Sequence, residues 1–309
     1  MGYPMAKNLI LAGYNLAVFD VDLSRGQLLQ SETVAKLGSV ELFSSAKDIF
    51  SKQLNITTLI TVLPNDKILK SVLIGNDNEG GILELLLPNS QHISCSTISP
   101  QTARELHQAH KKRNIGYVAS PIFARPDGMA AGMASLVLSG DEEAVLRATE
   151  ILKSTASVIK TFGNDPGAAN VVKLCGNYLI GSAILSLWVA WGLGVSNGVD
   201  RVEAIKFYTS TFFDCAIYKG YGQRVSERDH KAGGFALELG LKDMTLVRDT
   251  AYLSNTPMPF LSVLVDRFLG EKAKGRSSLD WSAIGLGVSE LSGVNVCKYV
   301  EACSRGEKI

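Results

Sequence analysis

Signs of β-structure stop near Asn164, and only helical patterns follow. Before that residue, helical patterns alternate with short apolar segments, at residues 16–19, 56–63, 92–94, 135–139 and 158–161. Strands that alternate with helices predict a mostly parallel, doubly wound sheet with helices on both faces. We therefore predict an α/β domain over residues 1–164, followed by an all-helical domain over residues 165–309.

Composition and charge argue against several classes of protein. A net charge of +1 over 309 residues gives no electrostatic basis for binding nucleic acid or an anionic membrane. The five cysteines are scattered and lack C-x-x-C spacing, which favours a reducing compartment and predicts neither disulfides nor a zinc site. The four histidines do not have metal-ligand spacing, so we predict no metal. Because no secretory signal is visible, we expect a cytoplasmic protein, or an organellar one if a lost upstream segment carried a targeting signal.

A second informative stretch is GNDPGAANVVKLCGN at residues 163–177, together with the apolar run that follows it. If a helix begins near Pro166, Lys173 and Asn177 are four residues apart on one face, where a cation and an amide can converge on a small ligand. The alternative is that Lys173 extends to water while Asn177 is a hydrogen-bonded core amide. The run is apolar nearly all round and interrupted by polar residues and glycines, which predicts a buried helix and not a membrane span.

The N-terminal segment resembles half of a dinucleotide-binding unit. A helical pattern over residues 1–12 leads to an apolar strand at 16–19 and then to Asp20. An acidic residue at the end of such a strand is typical of carboxylates that accept hydrogen bonds from an adenosine ribose. No strand and no G-x-G precede Gly2, so the glycine fingerprint is at most one glycine long.

Several motifs occur in the same order in a known family. They are MGYPMAKNLILAGYNLAVFD at 1–20, LPND at 63–66, STISP at 96–100, the 163–177 stretch, FALELGLKDMTLV at 235–247, and Asp280 before the last helix. Over nearly its whole length the chain resembles the β-hydroxyacid dehydrogenase family around 3-hydroxyisobutyrate dehydrogenase. The resemblance implies a Rossmann-type domain, here N-terminally truncated, and a helical domain like the C-terminal domain of 6-phosphogluconate dehydrogenase.

The resemblance also implies an activity and a set of site residues. The activity is NAD(P)-dependent hydride transfer between nicotinamide and a small 3-hydroxy acid or short aldehyde acid. Lys173 would be the catalytic lysine that exchanges a proton with the substrate, and Asn177 would assist it. Ser96 and Thr97 would bind the substrate carboxylate. The residues implied in cofactor binding are Gly2, Tyr3, Pro4, Met5, Asp20, Leu63, Pro64, Thr97 and Lys242.

Asp20 decides which cofactor we expect. It falls where the NAD-preferring members of the family carry an aspartate, and a carboxylate there repels a 2′-phosphate. We therefore predict NAD in preference to NADP, with Arg25 as a solvated residue that changes little. The expected partners are a small-molecule substrate and a second copy of the chain, in a homodimer or homotetramer.

Two departures from the family pattern leave alternatives open. The first strand and the leading glycines of the phosphate loop are absent, which implies weak cofactor binding and the loss of a central strand. We expect either an incomplete or alternatively started enzyme, or a non-catalytic binding or scaffold relative. In the second departure, Phe123, Ala124 and Arg125 stand where the family has Ser-Gly-Gly. Phe123 would narrow the substrate pocket, while Arg125 would either pair with a carboxylate or be solvated. This loop also resembles that of imine reductases, which lack a lysine at position 173.

Overall fold

The computed structural model describes residues 1–33, 37–51, 54–76, 79–297 and 300–301. Cys303, one of the five cysteines, lies outside these ranges. The chain divides into two compact units, Met1–Lys173 and Leu174–Ile309. The predicted fold class is confirmed, because an α/β region with a largely parallel sheet is followed by a helical region.

The first unit contains alternating helices and strands. Its helices are α1 Gly2–Leu11, α2 Leu23–Glu32, α3 Asp48–Ser51, α4 Asp66–Ile74, α5 Pro100–Lys111, α6 Pro126–Ala130 and α7 Glu142–Leu152. Its strands are β1 Leu16–Val18, β2 Val40–Leu42, β3 Thr58–Thr61, β4 Gly75–Asn76, β5 Glu79–Gly80, β6 Gln91–Ser94, β7 Gly116–Ala119, β8 Ile122–Phe123, β9 Ala134–Gly140 and β10 Ala156–Thr161.

The main sheet has the strand order β10-β9-β7-β6-β3, with β8 paired to β9. Strands β3, β6 and β7 are parallel, whereas β9 is antiparallel to β7. Thr61 lies opposite Ser94, and Ser94 lies opposite Ala119, so these three parallel strands end at one edge of the sheet. Strands β1 and β2 form a separate parallel pair. The loops that follow β3 and β6 therefore start side by side.

Apolar side chains cover both faces of the main sheet. Along β7, Val118 belongs to a cluster with Met5 of α1 and Ile93 of β6. Its neighbours Tyr117 and Ala119 belong to a different cluster that includes helices α4 and α5. Successive side chains of a strand point to opposite faces, so this alternation places helices on both sides of the sheet. The first unit is therefore a three-layer α/β arrangement.

The second unit is helical and has its own core. Helix α8, Ala168–Ser196, begins before the division between the units and continues after it. The helices that follow are α9 Arg201–Ser210, α10 Ala216–Glu227, α11 Leu237–Leu253, α12 Pro259–Ala273 and α13 Leu286–Leu291, with a 3₁₀ helix at Trp281–Gly285. Trp188 and Phe268 are at the centre of the core. A Cβ on Gly285 would lie 1.8 Å from Cγ of Trp188, so this close approach requires glycine.

Helix α8 differs from the expectation that it is buried all round. Leu179 is 65% exposed and Leu193 is 70% exposed, while Ile184 and Trp188 are buried in the core. Its length and composition would also suffice to cross a membrane, a test that core helices of soluble proteins also pass. An apolar pattern does not distinguish a face that packs in the core from one that packs on another molecule. The exposed face of α8 is therefore apolar, and none of the described residues covers it.

Candidate active site

The loops that follow β3 and β6 are tied to each other. The backbone N–H of Leu63 donates to Oγ of Ser96 at 2.8 Å, and the N–H of Ser99 donates to Oδ1 of Asp66 at 2.9 Å. The Leu63–Ser96 hydrogen bond joins the predicted cofactor segment, Leu63 and Pro64, to the predicted substrate segment, Ser96 and Thr97. The Ser96 hydroxyl is buried and keeps its own hydrogen for donation, because it accepts from Leu63 through oxygen.

Helix caps hold both loops in place. Oδ1 of Asn65 accepts from the N–H of Ile68 and caps α4. Oγ of Ser99 accepts from the N–H of Thr102 and caps α5, whose first residue is Pro100. Each cap satisfies a backbone donor that the helix leaves unpaired. The loop ends are therefore fixed on the edge where β3 and β6 finish.

The start of α8 is fixed by a charged pair. Asp165 accepts from the N–H of Gly167 at 3.0 Å and binds the guanidinium of Arg104 through both oxygens, at 2.9 and 2.7 Å. Hydrogen bonds from Arg104 lower the pKa of Asp165. A Cβ on Gly167 would lie 2.8 Å from the guanidinium carbon, so the glycine lets Arg104 cross the helix start. The pair therefore joins the segment before α8 to helix α5.

Lys173 lies in the second turn of α8 and is buried, at 7% exposed. Its Nζ lies 4.1 Å from the centroid of the Phe123 ring, so the structure brings together two of the predicted site residues. Arg125 follows as the residue that precedes the first turn of α6. Asn170, one turn before Lys173, is buried, and its Oδ1 accepts from the N–H of Ile98 at 3.4 Å. Sequence reasoning missed Asn170, although its spacing of three residues from Lys173 was a usable signal.

In the second unit, Asp243 is the centre of a buried polar group. Nδ2 of Asn177 donates to its Oδ2 at 2.5 Å, and Nζ of Lys242 lies 2.9 Å from its Oδ1. Asp243 is 1% exposed. Burial of a carboxylate is costly unless it is paired and hydrogen-bonded. Here the amide hydrogen-bonds Oδ2, while the ammonium lies within ion-pair distance of Oδ1 without a hydrogen bond to it. The structure thus places two predicted residues, Asn177 and Lys242, on one shared carboxylate.

Asp280 connects two backbone segments of the second unit by hydrogen bonds. It is buried, and its carboxylate accepts from the N–H groups of Phe235 and Ser282 at 3.2 and 3.0 Å. The Ser282 hydroxyl in turn pairs with Nδ1 of His230 at 2.9 Å. Burial lowers the pKa of His230 to about 4. Asp280 therefore joins the segment before α11 to the 3₁₀ helix.

The predicted cofactor residues at the start of the chain are more scattered. A cavity of about 210 Å³ lies at the ends of β1 and β2, lined by Val18, Asp20, Leu23, Gly26, Gln27, Leu42, Phe43 and Ser44. Gly2, Tyr3, Pro4 and Met5 form the first turn of α1. Tyr3 donates its hydroxyl to Glu32 at 2.5 Å, and the Met5 side chain is in the apolar core. Of these side chains, only Asp20 lines the cavity.

Comparison with known proteins identifies the family to which the chain belongs. Residues 1–163 match the family model described as the NAD binding domain of 6-phosphogluconate dehydrogenase. Residues 167–285 match the model described as the NAD-binding domain of NADP-dependent 3-hydroxyisobutyrate dehydrogenase. The chain belongs to the β-hydroxyacid dehydrogenase family.

Curated relatives of this β-hydroxyacid dehydrogenase agree with the assignment. An NAD-dependent L-serine dehydrogenase of Pseudomonas aeruginosa is 29% identical, over 92% of this chain and 93% of the relative. A 3-hydroxyisobutyrate dehydrogenase of the same organism is 29% identical over 92% and 94%, and an uncharacterized oxidoreductase of Bacillus subtilis is 29% identical over 92% and 95%. The chain is therefore an NAD(P)-dependent oxidoreductase of the hydroxyacid dehydrogenase type, as the motifs predicted.

Solved structures of other proteins share the fold. A 3-hydroxyisobutyrate dehydrogenase from Salmonella typhimurium superposes with a TM-score of 0.79 at 24% identity, covering 92% of this chain and 95% of that one. An imine reductase from Pseudomonas sp. gives a TM-score of 0.57 at 18% identity, covering 92% and 94%. At these identities the likeness concerns the fold alone. The fold accommodates both kinds of reduction, so the reaction must be argued from the site.

The residues present fit a dinucleotide at two points. The cavity beside Asp20 offers a carboxylate and apolar walls, as an adenosine requires. No side chain among the described residues caps α1, so its first backbone N–H groups are available to an anion such as a pyrophosphate. This family member therefore offers a hydrogen-bond acceptor to the adenosine ribose and backbone donors to the phosphates of a dinucleotide.

A buried histidine pair supports the loop after β3. Oγ1 of Thr61 pairs with Nε2 of His92 at 2.8 Å, and Nδ1 of His92 pairs with Nε2 of His110 at 3.0 Å. Nδ1 of His110 donates to the carbonyl of Leu106 at 2.7 Å. When both rings are neutral, Nε2 of His110 accepts from Nδ1 of His92, and Nε2 of His92 accepts from the Thr61 hydroxyl. Burial lowers the pKa of both histidines, that of His110 to about 4. Within the described ranges, no group of three or more acidic, cysteine or histidine side chains could hold a metal ion.

Proposed function

We propose that the chain interconverts small 3-hydroxy acids and their aldehyde acids, with Lys173 as the proton-transferring residue. The observation that carries this proposal is the buried Lys173 ammonium on α8, one helical turn before the buried Asn177. Bound nicotinamide supplies or accepts the hydride at the carbon that bears the hydroxyl. The residues of the chain bind and orient the substrate and handle its hydroxyl proton.

Lys173 suits this role because its charge is variable and its position is fixed. In the oxidation direction a neutral lysine takes the proton of the hydroxyl, and in reduction the ammonium returns it to the oxygen. Burial of Lys173 and its contact with the Phe123 ring, at 4.1 Å from Nζ to the centroid, limit where Nζ can lie. A donor held in place against the substrate oxygen also stabilises its alkoxide character.

Asn177 would assist Lys173 by orienting the substrate. Its Nδ2 donates to the buried carboxylate of Asp243 at 2.5 Å, which restricts the orientation of the amide. Lys242, whose Nζ lies 2.9 Å from the same carboxylate, is the residue of this group that we assign to the cofactor.

The substrate carboxylate would be bound by the segment of Ser96 and Thr97. Ser96 keeps a hydroxyl hydrogen to donate, and its oxygen is held by the N–H of Leu63. Arg125 would pair with the carboxylate from the other loop, in the planar, two-bond geometry that guanidinium groups allow. L-Serine and 3-hydroxyisobutyrate, which named relatives act on, are 3-hydroxy acids of the expected size.

The loop after β1 supports NAD as the preferred cofactor. Oδ1 of Asp20 accepts from the N–H of Asp22 at 2.9 Å, and Asp20 lines the cavity. Arg25 pairs with Asp22 at 3.1 Å, so the cation beside this cavity is already engaged with a carboxylate. Two carboxylates and one engaged guanidinium disfavour the added charge of a 2′-phosphate.

A second copy of the chain would cover the exposed face of α8. This face carries Leu179, Val189 and Leu193, each more than half exposed, and Phe207 and Phe212 are exposed at and just after α9. Large apolar side chains in this number favour a protein interface over open solvent. We propose a homodimer or homotetramer in the cytoplasm that binds neither nucleic acid nor membrane.

The proposed function is tested by turnover of the purified protein. NAD or NADP is supplied with 3-hydroxyisobutyrate, L-serine and, as a matched control, isobutyrate, which lacks the hydroxyl. We expect reduction of the cofactor with at least one hydroxy acid and none with the control. Tight cofactor binding without turnover of any short 3-hydroxy acid would contradict the proposal.

A further inference from the structure

We propose that the ring of Phe123 holds the Lys173 ammonium by a cation–π contact and favours its charged form, which makes Phe123 a positioning residue for the proton transfer. The significance of this contact for the reaction rests on the proposed function. The contact itself rests on geometry: Nζ lies 4.1 Å from the ring centroid, inside the range of about 6 Å in which such contacts are attractive.

The environment makes the contact significant. Lys173 is 7% exposed, so water solvates its ammonium poorly, and attraction to neighbouring groups is stronger there than it would be in water. The face of an aromatic ring carries negative charge density and attracts a cation. Phe123 is partly buried and packs against the same apolar cluster as Val172, the residue directly before Lys173. The ammonium is therefore largely removed from water at this contact, which strengthens its attraction to the ring.

The pairing of β8 determines which face of the sheet carries the Phe123 ring. Strand β8 pairs antiparallel with β9, with Ile122 opposite Leu136 and Phe123 opposite Ser135. Ile122 packs in one core cluster and Phe123 in the other, as the alternation of a strand requires. Small residues at this position could not form such a contact. Here an aromatic ring occupies a place where the sequence resemblance led us to expect serine and glycine.

If the Phe123 ring stabilises the ammonium, weakening its quadrupole should shift the titration midpoint of Lys173 in a definite direction. If the ring attracts the ammonium, weakening its quadrupole lets Lys173 lose its proton at lower pH. Cation–π contacts of this kind correspond to a shift of about 0.5–1 pH unit in the titration midpoint. A ring that merely fills space predicts no dependence on its charge distribution.

The test uses fluorinated phenylalanines at position 123, which weaken the quadrupole while nearly preserving the ring shape. The protein is labelled with ¹³C at lysine Cε, and the Lys173 signal is assigned by its absence in Lys173→Arg. The titration midpoint is measured with phenylalanine and with its 4-fluoro, 3,5-difluoro and 3,4,5-trifluoro forms. We expect the midpoint to fall stepwise through the series. An unchanged midpoint would overturn the proposal.

The matched control is the same series at Phe268, a buried ring in the helical core. There we expect no change at Lys173. The charged groups on the neighbouring segments, Arg125 and the Arg104–Asp165 pair, are the same in every sample. Phe123→Tyr keeps a ring face and should retain the midpoint, whereas Phe123→Leu should lower it.

Activity separates this inference from the proposed function. In the oxidation direction, the acidic limb of the pH–rate profile should move to lower pH in parallel with the midpoint. A stepwise midpoint in a protein that turns over no hydroxy acid would support the contact and reject the function. Turnover that requires Lys173, with a midpoint and pH–rate limb insensitive to fluorination, would reject the contact and keep the function.

Discussion

The loops after β3 and β6 differ from the loop after β1, although all three follow the ends of parallel strands. The loops after β3 and β6 are joined to each other by hydrogen bonds, and Ser96, which accepts one of them, is buried. After β1, the Asp22 and Arg25 side chains are 49% and 63% exposed, and Arg25, in the first turn of α2, donates to Asp22 at the end of the loop. Buried, paired polar groups fix a geometry, while exposed charges adjust which ligand is preferred. The comparison predicts different consequences of substitution at the two kinds of place.

Asp243→Ala should have the largest effect on stability. It tests a buried, paired polar group in the second unit against an exposed one. The change leaves the Lys242 ammonium and the Asn177 amide without their shared carboxylate, and truncation of a buried ion pair costs about 3–5 kcal/mol. Urea unfolding measures the change in the free energy of unfolding. Asp249→Ala removes an exposed aspartate of the same helix and should change it by less than about 0.5 kcal/mol. Equal effects of the two changes would contradict the comparison.

The His92–His110 pair predicts a loss of stability in acid. A histidine in the unfolded chain binds a proton below its ordinary pKa of 6.5, whereas burial keeps folded His110 neutral down to a pKa of about 4. The neutral form therefore contributes its full stability above pH 6.5 and loses it as the pH falls to about 4, a contribution on the order of 3 kcal/mol. Unfolding of the native protein and of His110→Gln is compared at pH 7 and pH 4.5. The variant should show the smaller decrease, and equal decreases would exclude His110 as the cause.

Ser96→Ala should have an intermediate effect. It removes the acceptor of the Leu63 N–H and so leaves a partly buried donor unsatisfied, at a cost of about 1–3 kcal/mol. The Michaelis constant for the substrate should also rise, since the hydroxyl is a proposed carboxylate donor. Ser24→Ala, which removes an exposed hydroxyl in the first turn of α2, directly after the loop that follows β1, is the control for both measurements. If Ser24→Ala is equally destabilising, the two loops do not differ as described.

Asp20→Ala should have the smallest effect on stability and a specific effect on ligand choice. The free energy of unfolding should change by less than about 0.5 kcal/mol. Removing the carboxylate from the cavity should raise the affinity for NADPH relative to NADH by about tenfold. Calorimetric titration measures both affinities, with Glu143→Ala, an exposed change on α7, as the control. Unchanged discrimination would remove Asp20 from the cofactor assignment.

Local signals in the sequence were sufficient for much of the fold. Strands β6 and β9 follow from their apolar segments, and the caps at Asn65 and Ser99 follow from residue types that favour helix starts. The short strand β2 was not predicted, because three residues with one exposed side chain give too little periodicity. The antiparallel pairing of β7 with β9 is a tertiary feature that alternation of strands and helices does not specify.

The candidate site could be predicted only in part. Lys173 and Asn177 are close in sequence on one helix, and the spacing alone predicts that they share a face. Contacts between distant segments could not be read in this way. The pairing of β8 with β9 positions Phe123 close to Lys173. The packing of α5 on β6 brings His92 within hydrogen-bonding distance of His110. The exposed face of α8 was wrongly expected to be buried, since apolar residues also form interfaces between molecules.

The most direct test of the account is the effect of Lys173→Ala on turnover and on cofactor binding in the same preparation. We expect kcat with the best 3-hydroxy acid to fall by about 10²–10⁴-fold, while the dissociation constant of NADH changes little. Lys160→Ala, an exposed lysine on β10, should leave both values unchanged. Turnover that survives in Lys173→Ala, with cofactor binding intact, would contradict the assignment of Lys173 as the proton-transferring residue.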